Sequence, residues 1–464
     1  MSELTVSARA RLGTVAWARF RSRRVRRLVD PVLSAAVLAA VVVAVREFVI
    51  APLTGSFTGR FEDFEAYWDA ATAANAGGDP YGTFDSGTVT MSGFIYPPLG
   101  ALLLRPLALL DHHQAATLWL WIGLACTVAG SVIVARDLLP ARWPRARIGL
   151  LAALTFPPAT YNLWHGQANP VIFLLLALAL RAWLRGAETR CGVLLGVAAA
   201  VKLAPFVLVA LLWRRGWRRG SAALVVTAAG TSLLGAALVG AGALRTWLSI
   251  VLPGLSRDNG WVYNQTWGAV VSRLANHSVL RWEADSLPLH LAALTLSLSG
   301  VAAAAWAVSR DRRSSEVRGA EFAAGVTAML LAGSVAWYAH YVHVLIPAMA
   351  LVALAVRPTD HSPRDVHTPP EARHEGRRLE PAAVLVAGLA VLCVLAPVLI
   401  ATTDMPTLIS LSSGHWWWPY LQLWSLPSLA AAAMLAVLVR SIRAAGPVSP
   451  QPRRLTSPVE RPVT

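Results

Sequence analysis

Residues 96 to 110, YPPLGALLLRPLALL, decide how this chain is threaded. The apolar part of the stretch is about 12 residues long, whereas a helix that crosses ~30 Å of hydrocarbon needs about 20. We therefore expect a short helix in the outer membrane interface and not a spanning helix. The next apolar run, 115–135, then returns to the cytoplasm, and the arginines that follow it lie on the cytoplasmic side.

The composition of the whole chain is that of an integral membrane protein. Hydrophobic residues make up 56% and charged residues 14%, and the mean hydropathy is +0.52, which is more apolar surface than one soluble core buries. Runs such as 31–50, 115–135, 221–239 and 381–402 have the length of spanning helices and not of barrel strands. The sequence therefore predicts an all-α polytopic membrane protein.

The positive charge follows the membrane pattern and does not indicate nucleic-acid binding. All but one of the 41 basic residues are arginines, and they recur in clusters between apolar runs, as cytoplasmic loops do. Eight arginines precede the first span, and no cleavable signal pattern follows. The N-terminus is therefore expected in the cytoplasm, and the loop 51–113 outside.

A second decisive stretch is 192–213, GVLLGVAAAVKLAPFVLVALLW, because arginines flank it on both sides. If both flanks are cytoplasmic, the chain must leave the cytoplasmic side and return to it within this run. We therefore predict two short helices with a break at residues 202–205, because Pro205 disfavours helix at the residue before it. The same rule gives about twelve transmembrane helices and a cytoplasmic C-terminus. The further outer loops expected are 164–169, about 242–286, 339–341 and 403–419.

These assignments divide the chain into five parts. They are a basic cytoplasmic N-terminus at 1–30, a catalytic membrane core at 31–356 that includes the outer loop 51–113, a cytoplasmic linker at 357–380, C-terminal transmembrane helices at 381–440 and a disordered cytoplasmic tail at 441–464.

The unusual polar residues gather on the outer side of this topology. Ionisable groups at membrane depth are costly and usually line a cavity or a pathway, so their co-location indicates a functional site. The residues are Asp63, Tyr81, Tyr96, His165, Gln167, Asn169, Lys202, Asn264, Gln265 and His340.

The first outer loop contains an acidic, aromatic segment at 59–71, GRFEDFEAYWDAA. Its spacing predicts an amphipathic interfacial helix, with Glu62, Glu65 and Asp69 on a solvated face. Asp63 lies at the helix start, where a carboxylate serves either as an N-terminal cap or as a catalytic base.

One lysine and a pair of histidines need a separate interpretation. Lys202, the one lysine, is either a snorkelling side chain or a compact positive charge for a phosphate. His340 and His343 lie three residues apart, but no acidic residue or cysteine accompanies them, so no metal site is predicted. His340 is also a candidate proton acceptor. Nucleotide-binding and metalloprotease motifs are not found, and no cofactor is expected.

Six segments in this order resemble glycosyltransferase family 87, the actinobacterial polyprenol-phosphate-mannose-dependent mannosyltransferases with the GT-C membrane fold. The segments are DFEAYWDAATAANAGGDPYGTF, FIYPPLGALLLRPLALL, HGQANPVIFLLLALALRAWLRG, GVLLGVAAAVKLAPFVLVALLWRRGWR, NQTWGAVVSRL and WYAHYVHVLIPA. The likeness covers residues 31 to about 356. It implies a multi-span enzyme of the cell membrane whose active site opens to the periplasmic side and takes its sugar from a lipid-linked donor.

The resemblance also implies roles for residues. The acidic residue of the first outer loop falls on Asp63, the basic residue before a Pro on Lys202, and the Gly-Gln-x-Asn turn on 166–169. The family commonly has adjacent histidines after a Trp, whereas here a single histidine, His340, follows Trp337. The predicted catalytic residues are Asp63 and His340. Donor and phosphate contacts are expected at Lys202, Gln167, Asn169 and Tyr96, and acceptor or sugar contacts at Tyr81, His165, Asn264 and Gln265.

The expected reaction is an inverting transfer of mannose to an envelope glycolipid or glycan, of the alpha-(1,2) type. Asp63 would deprotonate the acceptor hydroxyl, and Lys202 would stabilise the leaving phosphate. Three alternatives remain open at the level of the sequence. An arabinofuranosyltransferase with a polyprenyl-phosphate-arabinose donor would have a similar sequence, and a transporter or flippase of lipid-linked sugars would also need polar groups and multiple spans. A catalytically inactive lipid-binding scaffold is the third, since a single histidine stands where the family commonly has two.

Overall fold

The computed structural model describes residues 30–82, 93–255, 264–276, 286–311, 313–333, 335–356, 388 and 425–445. All the regular secondary structure in this part of the chain is helical. The predicted linker, the span at 381–402 apart from residue 388, the outer loop 403–419 and most of both termini lie outside the described residues.

The helices are numbered here in chain order. They are α1 Asp30–Leu53, α2 Glu62–Asn75, α3 Pro98–Leu104, α4 His112–Leu138, α5 Arg145–Thr155, α6 Pro157–His165, α7 Asn169–Arg185, α8 Glu188–Val201, α9 Val209–Arg215, α10 Arg218–Val239, α11 Ala241–Leu255, α12 Trp267–Asn276, α13 Leu287–Ala307, α14 Ser315–Ala332, α15 Leu345–Ala355 and α16 Leu426–Ala444, with 3-10 helices at Leu107–Leu109, Ala204–Leu208 and Tyr338–Val344.

Within the described residues, six helical segments are long and apolar enough to cross a membrane. They are α1, α4, α10, α13, α16 and the segment Tyr338–Ala355 that ends in α15. The all-helical membrane class is thereby confirmed, and the count of about twelve crossings stays a prediction. The outer loop expected at 242–286 is largely helical where it is described, because α11 and α12 lie within it.

The decisive stretch at 96–110 forms a short helix, as predicted. Helix α3 has seven residues, or about 10 Å at 1.5 Å per residue, and the 3-10 turn Leu107–Leu109 follows it. It lies against α10 at Gly235, where a Cβ atom would come within 2.5 Å of the backbone nitrogen of Leu99. This close contact holds α3 beside the bundle.

The break at Lys202 is also confirmed. Helix α8 ends at Val201 and Lys202 is extended (φ −146°, ψ 117°), after which the chain continues as the 3-10 helix Ala204–Leu208. Glycines set the packing of α8 on α10. A Cβ at Gly192 would collide with the carbonyl oxygen of Gly220, and one at Gly196 would meet that of Leu224 at 2.7 Å. Such spacing of small residues lets two membrane helices approach closely, and it fixes the point where Lys202 leaves the helix.

Helix α14 is the centre of the bundle and is buried along nearly its whole length. Its buried Glu321 accepts a hydrogen bond from Arg215 Nη1 at 2.8 Å and one from the backbone N–H of Ser309 at 3.0 Å. The Arg215 guanidinium lies 4.6 Å from the ring centroid of Trp183 and 5.1 Å from that of Trp217. We call these five residues the Arg215–Glu321 cluster. A buried charge needs such pairing.

Candidate active site

A cavity of about 410 Å³ opens at the other end of the bundle, within the size range of small-molecule sites. Ten residues were predicted for the site, and five of them line this cavity although they come from five separate segments of the chain. The five are Asp63, Tyr96, Gln167, Lys202 and His340. Much of the remaining wall is apolar, and its side chains include Leu203, Phe206, Val207, Trp247 and Leu252.

Asp63 is held in place by a docked helix start. Phe61, the residue before α2, has a left-handed backbone (φ 51°), and no side chain caps the helix, so Asp63 is not its N-cap. The Phe61 N–H donates to the carbonyl oxygen of Trp164 at 3.2 Å. Gly166 has φ +67°, and a Cβ there would lie 2.6 Å from Phe64 Cβ. A left-handed residue other than glycine carries strain, and here the strained residue positions the start of α2 against the turn.

The surroundings of Asp63 favour the protonated form of its carboxyl group, compared with a carboxyl group in water. Helix α2 lies outside the six candidate spans. Burial raises the pKa of the Asp63 carboxyl above its ordinary value, and the nearby charge of Glu62 adds to the rise. A hydrogen bond from Gln167 and the charges of His165 and Lys202 oppose it. A carboxyl with a raised pKa is a better proton acceptor when ionised.

A row of polar side chains connects this carboxylate to the ammonium group. Gln167 lines the cavity beside Asp63 and lowers its pKa, and the Gln167 Oε1 atom accepts from Asn169 Nδ2 at 3.3 Å. Asn169 Oδ1 in turn accepts from Lys202 Nζ at 2.8 Å. The Gln-x-Asn turn, which is weak evidence as a motif, therefore connects the predicted base to the predicted phosphate-binding residue.

Buried Asn162 anchors this row to the rest of the fold. Its Oδ1 atom accepts from Asn169 Nδ2 at 3.0 Å, and its Nδ2 atom donates to the carbonyl oxygen of Ala339 at 2.7 Å. The turn at the end of α6 is thus attached to the 3-10 helix that carries His340. Buried polar chains of this kind hold a unique arrangement when every member is bonded.

Tyr96 and Tyr67 line the cavity beside Lys202. The Lys202 Nζ atom lies 5.4 Å from the ring centroid of Tyr96, within the range of a cation–π contact. The Tyr96 and Tyr67 hydroxyls are 2.9 Å apart, and Tyr81 donates to the carbonyl oxygen of Tyr96 at 2.6 Å. Tyr81 is therefore placed behind Tyr96 and does not line the cavity.

One ring nitrogen of His340 has no hydrogen-bond partner among the described residues. Its Nδ1 atom lies 3.2 Å from the carbonyl oxygen of Trp337, and a carbonyl only accepts, so Nδ1 carries the proton in the neutral ring. The Nε2 atom then has a free lone pair, and it is buried without a hydrogen-bond partner in the described part of the chain. Within the same residues, no group of three or more side chains of the ligand types could hold a metal ion.

The other predicted contacts lie outside the cavity lining. His165 stacks on Tyr161 with ring centroids 3.9 Å apart. The Oδ1 atom of Asn264 accepts from the N–H of Ala336 at 2.9 Å, and the Oε1 atom of Gln265 accepts from Ser428 at 2.9 Å. Both amides brace α12 against neighbouring segments. Sugar contact by these residues stays a prediction.

Sequence reasoning missed three residues of the site. Glu62 was placed on the solvated face with Glu65 and Asp69, and it is exposed, but it also lines the cavity mouth. Tyr67 lines the cavity and bonds Tyr96. Asn162 stands one turn before the Gly-Gln-x-Asn motif in an apolar helix, and a buried asparagine in such a helix was a usable signal.

Comparisons with known proteins identify the family of the chain. The sequence model of glycosyltransferase family 87 matches residues 94–334. A polyprenol-phosphate-mannose-dependent alpha-(1-2)-phosphatidylinositol pentamannoside mannosyltransferase of Mycolicibacterium smegmatis is 33% identical over 196 residues, 40% of this chain and 45% of the relative. A protein of the same description from Mycobacterium tuberculosis is 28% identical over 306 residues, 62% of this chain and 65% of the relative. The matches thus span less than two thirds of these relatives. No solved structure matches the chain.

Proposed function

The chain belongs to glycosyltransferase family 87, whose members have the GT-C membrane fold, and from this premise we propose that it transfers mannose from polyprenyl-phosphate-mannose to an envelope glycolipid or glycan. The observation that carries the proposal is that Asp63, Lys202 and His340 meet at one cavity. The two relatives are described as enzymes that depend on this donor and act on a phosphatidylinositol pentamannoside, which makes a mannosylated lipid the acceptor class that we favour.

The two chemical halves of the cavity suit the two halves of the donor. Lys202 offers a positive charge to the phosphate, and the hydroxyl groups of the sugar find amide and phenol partners at Gln167 and Tyr96. The apolar wall, with side chains such as Phe206 and Trp247, continues toward α3 and the neighbouring spans. We assign the polyprenol chain to this side, because isoprenoid surface is stabilised by apolar contact.

The proposed step is a single displacement at the anomeric carbon. Asp63 accepts the proton of the acceptor hydroxyl, and that oxygen forms a bond to the anomeric carbon of a β-linked mannosyl phosphate. The bond from this carbon to the phosphate oxygen breaks, and polyprenyl phosphate leaves with the electron pair. Lys202 stabilises the negative charge of the leaving group. The product is an α-mannoside, and an alpha-(1,2) linkage is our proposal for its position.

His340 is the second candidate for the base. His340 lines the same cavity, its buried Nε2 atom has no hydrogen-bond partner among the described residues, and an imidazole with one free lone pair is able to accept a proton. The position of its N–H toward the carbonyl of Trp337 also orients the ring. We place it near the sugar, where it either accepts the proton or orients a hydroxyl group.

The finer topology belongs to the proposal too. We propose about twelve crossings, both termini in the cytoplasm and a cavity that opens to the periplasmic or extracellular side. The division into a catalytic core at 31–356, a linker at 357–380 and C-terminal helices at 381–440 follows from the same threading.

The test is a transfer assay with purified full-length protein in proteoliposomes. Polyprenyl-phosphate-mannose and a phosphatidylinositol mannoside are supplied together, and the product is examined by mass spectrometry and by the anomeric coupling in NMR. We expect an α-mannosylated lipid. A parallel reaction contains polyprenyl-phosphate-arabinose, and transfer from this donor alone would replace the mannose assignment. Movement of the donor between leaflets without a product would identify a flippase.

The acceptor is best found in cells. A strain that lacks this protein should accumulate one glycolipid or glycan, and the accumulated species identifies the acceptor. A lipid profile identical to that of the parent strain would contradict an envelope mannosyltransferase that has no redundant partner.

A further inference from the structure

A set of arginines surrounds the Arg215–Glu321 cluster at the end of the bundle opposite the cavity. Arg214 lies in the last turn of α9, and the segment just before α14 carries Arg310 and Arg313. The two segments touch, since Arg310 Nε lies 3.5 Å from the carbonyl oxygen of Arg214. Arg318 follows on the first turn of α14, close enough to Arg215 for their charges to interact. The stretch 213–219 has no acidic residue.

These arginines lie far from the proposed active site. Ala332 lines the cavity at one end of α14, and Arg318 lies fourteen residues earlier, which is about 20 Å along a helix. A phosphate held by these arginines is therefore not the phosphate bound beside Lys202.

Exposed tryptophans flank the arginines and place them at the level of a membrane interface. Trp213, beside Arg214, is 63% exposed, and Trp306, four residues before Arg310, is 53% exposed. The Arg443 guanidinium lies 4.1 Å from the ring centroid of Trp306. Tryptophan is enriched where lipid headgroups meet the hydrocarbon, so these rings mark the depth at which a phosphate group of the bilayer lies.

Part of the guanidinium surface is buried and unsatisfied. Among the residues that the structure describes, the Nε and Nη1 atoms of Arg313 and the Nε atom of Arg318 have no hydrogen-bond partner. The carboxylate oxygens of Glu321 already accept from Arg215 and Ser309. Donors that are buried without partners are costly, and a phosphate group, with several acceptor oxygens and a negative charge, matches planar guanidinium donors.

We propose that residues 213–218, at the junction of α9 and α10, and residues 308–311 and 313–318, at the start of α14, bind the phosphate of an anionic phospholipid from the surrounding leaflet. The headgroup lies against Arg214, Arg310 and Arg313, and the acyl chains follow the exposed apolar faces beside Trp213 and Trp306. A lipid fits better than a free anion, because the exposed rings on both sides offer contact to hydrocarbon and interfacial groups.

The experiment is native mass spectrometry of the purified full-length protein after incubation with equal amounts of phosphatidylglycerol and phosphatidylcholine. Wild-type protein should retain phosphatidylglycerol preferentially. The pair Arg310→Gln and Arg313→Gln should reduce the preference by roughly 10-fold or more, since each arginine near a headgroup contributes about fivefold. The pair Arg142→Gln and Arg190→Gln, which removes two exposed arginines elsewhere at the same end, should change it less than about twofold.

A third variant keeps the test valid if the glutamine pair folds poorly. Arg310→Lys with Arg313→Lys retains the charge and should retain most of the preference for phosphatidylglycerol. The proposal is overturned if wild-type protein retains the two lipids equally, or if both glutamine pairs reduce the preference equally. Displacement of phosphatidylglycerol by inorganic phosphate at millimolar concentration would instead identify a site for free anions.

Discussion

The charged side chains at the two ends of the bundle have different partners. At one end, buried Glu321 has its partner in Arg215, and two tryptophan rings cover the guanidinium. At the other end, Lys202 donates to the neutral amide of Asn169, and within the described residues no carboxylate forms an ion pair with it. The first arrangement is closed, and the second faces an open cavity.

The difference separates a stabilising ion pair from a binding site. A buried pair with all its hydrogen bonds made has little left to offer a ligand. A carboxylate and an ammonium group that reach each other through two amides keep acceptor and donor capacity for a substrate. Predictions therefore differ between the ends: changes at the cavity should reduce turnover, and changes at the Arg215–Glu321 cluster should reduce stability.

The largest effect is expected for Asp63→Asn. Loss of a general base lowers the rate by about 100- to 10,000-fold, so kcat should fall by that order. The melting temperature should stay the same or rise, because a buried carboxyl with a raised pKa disfavours the folded state at neutral pH. Asp69→Asn on the exposed face of α2 is the control. Wild-type turnover of Asp63→Asn would transfer the role of the base to His340.

At the opposite end, Glu321→Gln should lower stability and leave turnover unchanged. It leaves the Arg215 guanidinium without its carboxylate, and breaking such a buried pair costs about 3 kcal/mol or more. Thermal unfolding in detergent should show a lower melting temperature, whereas kcat per folded molecule should match wild type. A fall in kcat as large as that of Asp63→Asn would show that the two ends are coupled.

Lys202→Ala should weaken the binding of the donor more than it slows other steps of the reaction. A hydrogen bond to a charged group contributes about 1.5–3 kcal/mol, so donor affinity should fall roughly 10- to 100-fold. Lys202→Arg, which keeps the charge but changes its shape, should recover part of the loss. Binding is measured by titration of a fluorescent polyprenyl phosphate. Unchanged donor affinity in Lys202→Ala would contradict the phosphate role.

Two glycines test the geometry with one substitution each. Gly166 and Gly186 both end helices in the left-handed conformation, with φ +67° and +73°. A Cβ atom at Gly166 would strike Phe64, whereas nothing lies within 4 Å of one at Gly186. Gly186→Ala therefore carries only the conformational penalty, about 1 kcal/mol, and Gly166→Ala should in addition reduce turnover. Equal activities in the two variants would argue against the docked start of α2 as the support of Asp63.

The smallest effects are opposite shifts in the pH profile. The ionised form of Asp63 is the active base, so activity falls as the pH drops through its pKa. Gln167→Leu removes a hydrogen bond that lowers this pKa, and the acidic limb of kcat/KM should move to higher pH. Glu62→Gln removes a charge that raises it, and the limb should move to lower pH. Shifts of both variants in the same direction would contradict the assignment.

Much of the fold could be predicted from the sequence because the residues that end helices and set their orientation act locally. Pro205 fixed the expected break after Lys202, Gly166 marked the turn, and the short apolar run at 96–110 excluded a span there. Arginine clusters set the expected orientation without any knowledge of packing. Each of these signals acts within a few residues of its own position.

The candidate site was less accessible because its contacts join distant residues. Asn264 and Gln265 looked like sugar ligands, yet their side-chain oxygens already accept hydrogen bonds from Ala336 and Ser428. Conversely, Tyr67 and Asn162 were not predicted as residues of the site, since no sequence motif marks them. Which polar groups are already hydrogen-bonded depends on tertiary packing, and only coordinates show it.

The most direct test of the whole account is a cryo-EM structure with a non-cleavable phosphonate analogue of polyprenyl-phosphate-mannose. We predict the phosphonate within hydrogen-bonding distance of Lys202 Nζ, with the mannose ring between it and the Asp63 carboxylate. An analogue bound with its phosphonate on the arginines beside the Arg215–Glu321 cluster, and an empty cavity at Asp63, would contradict the account.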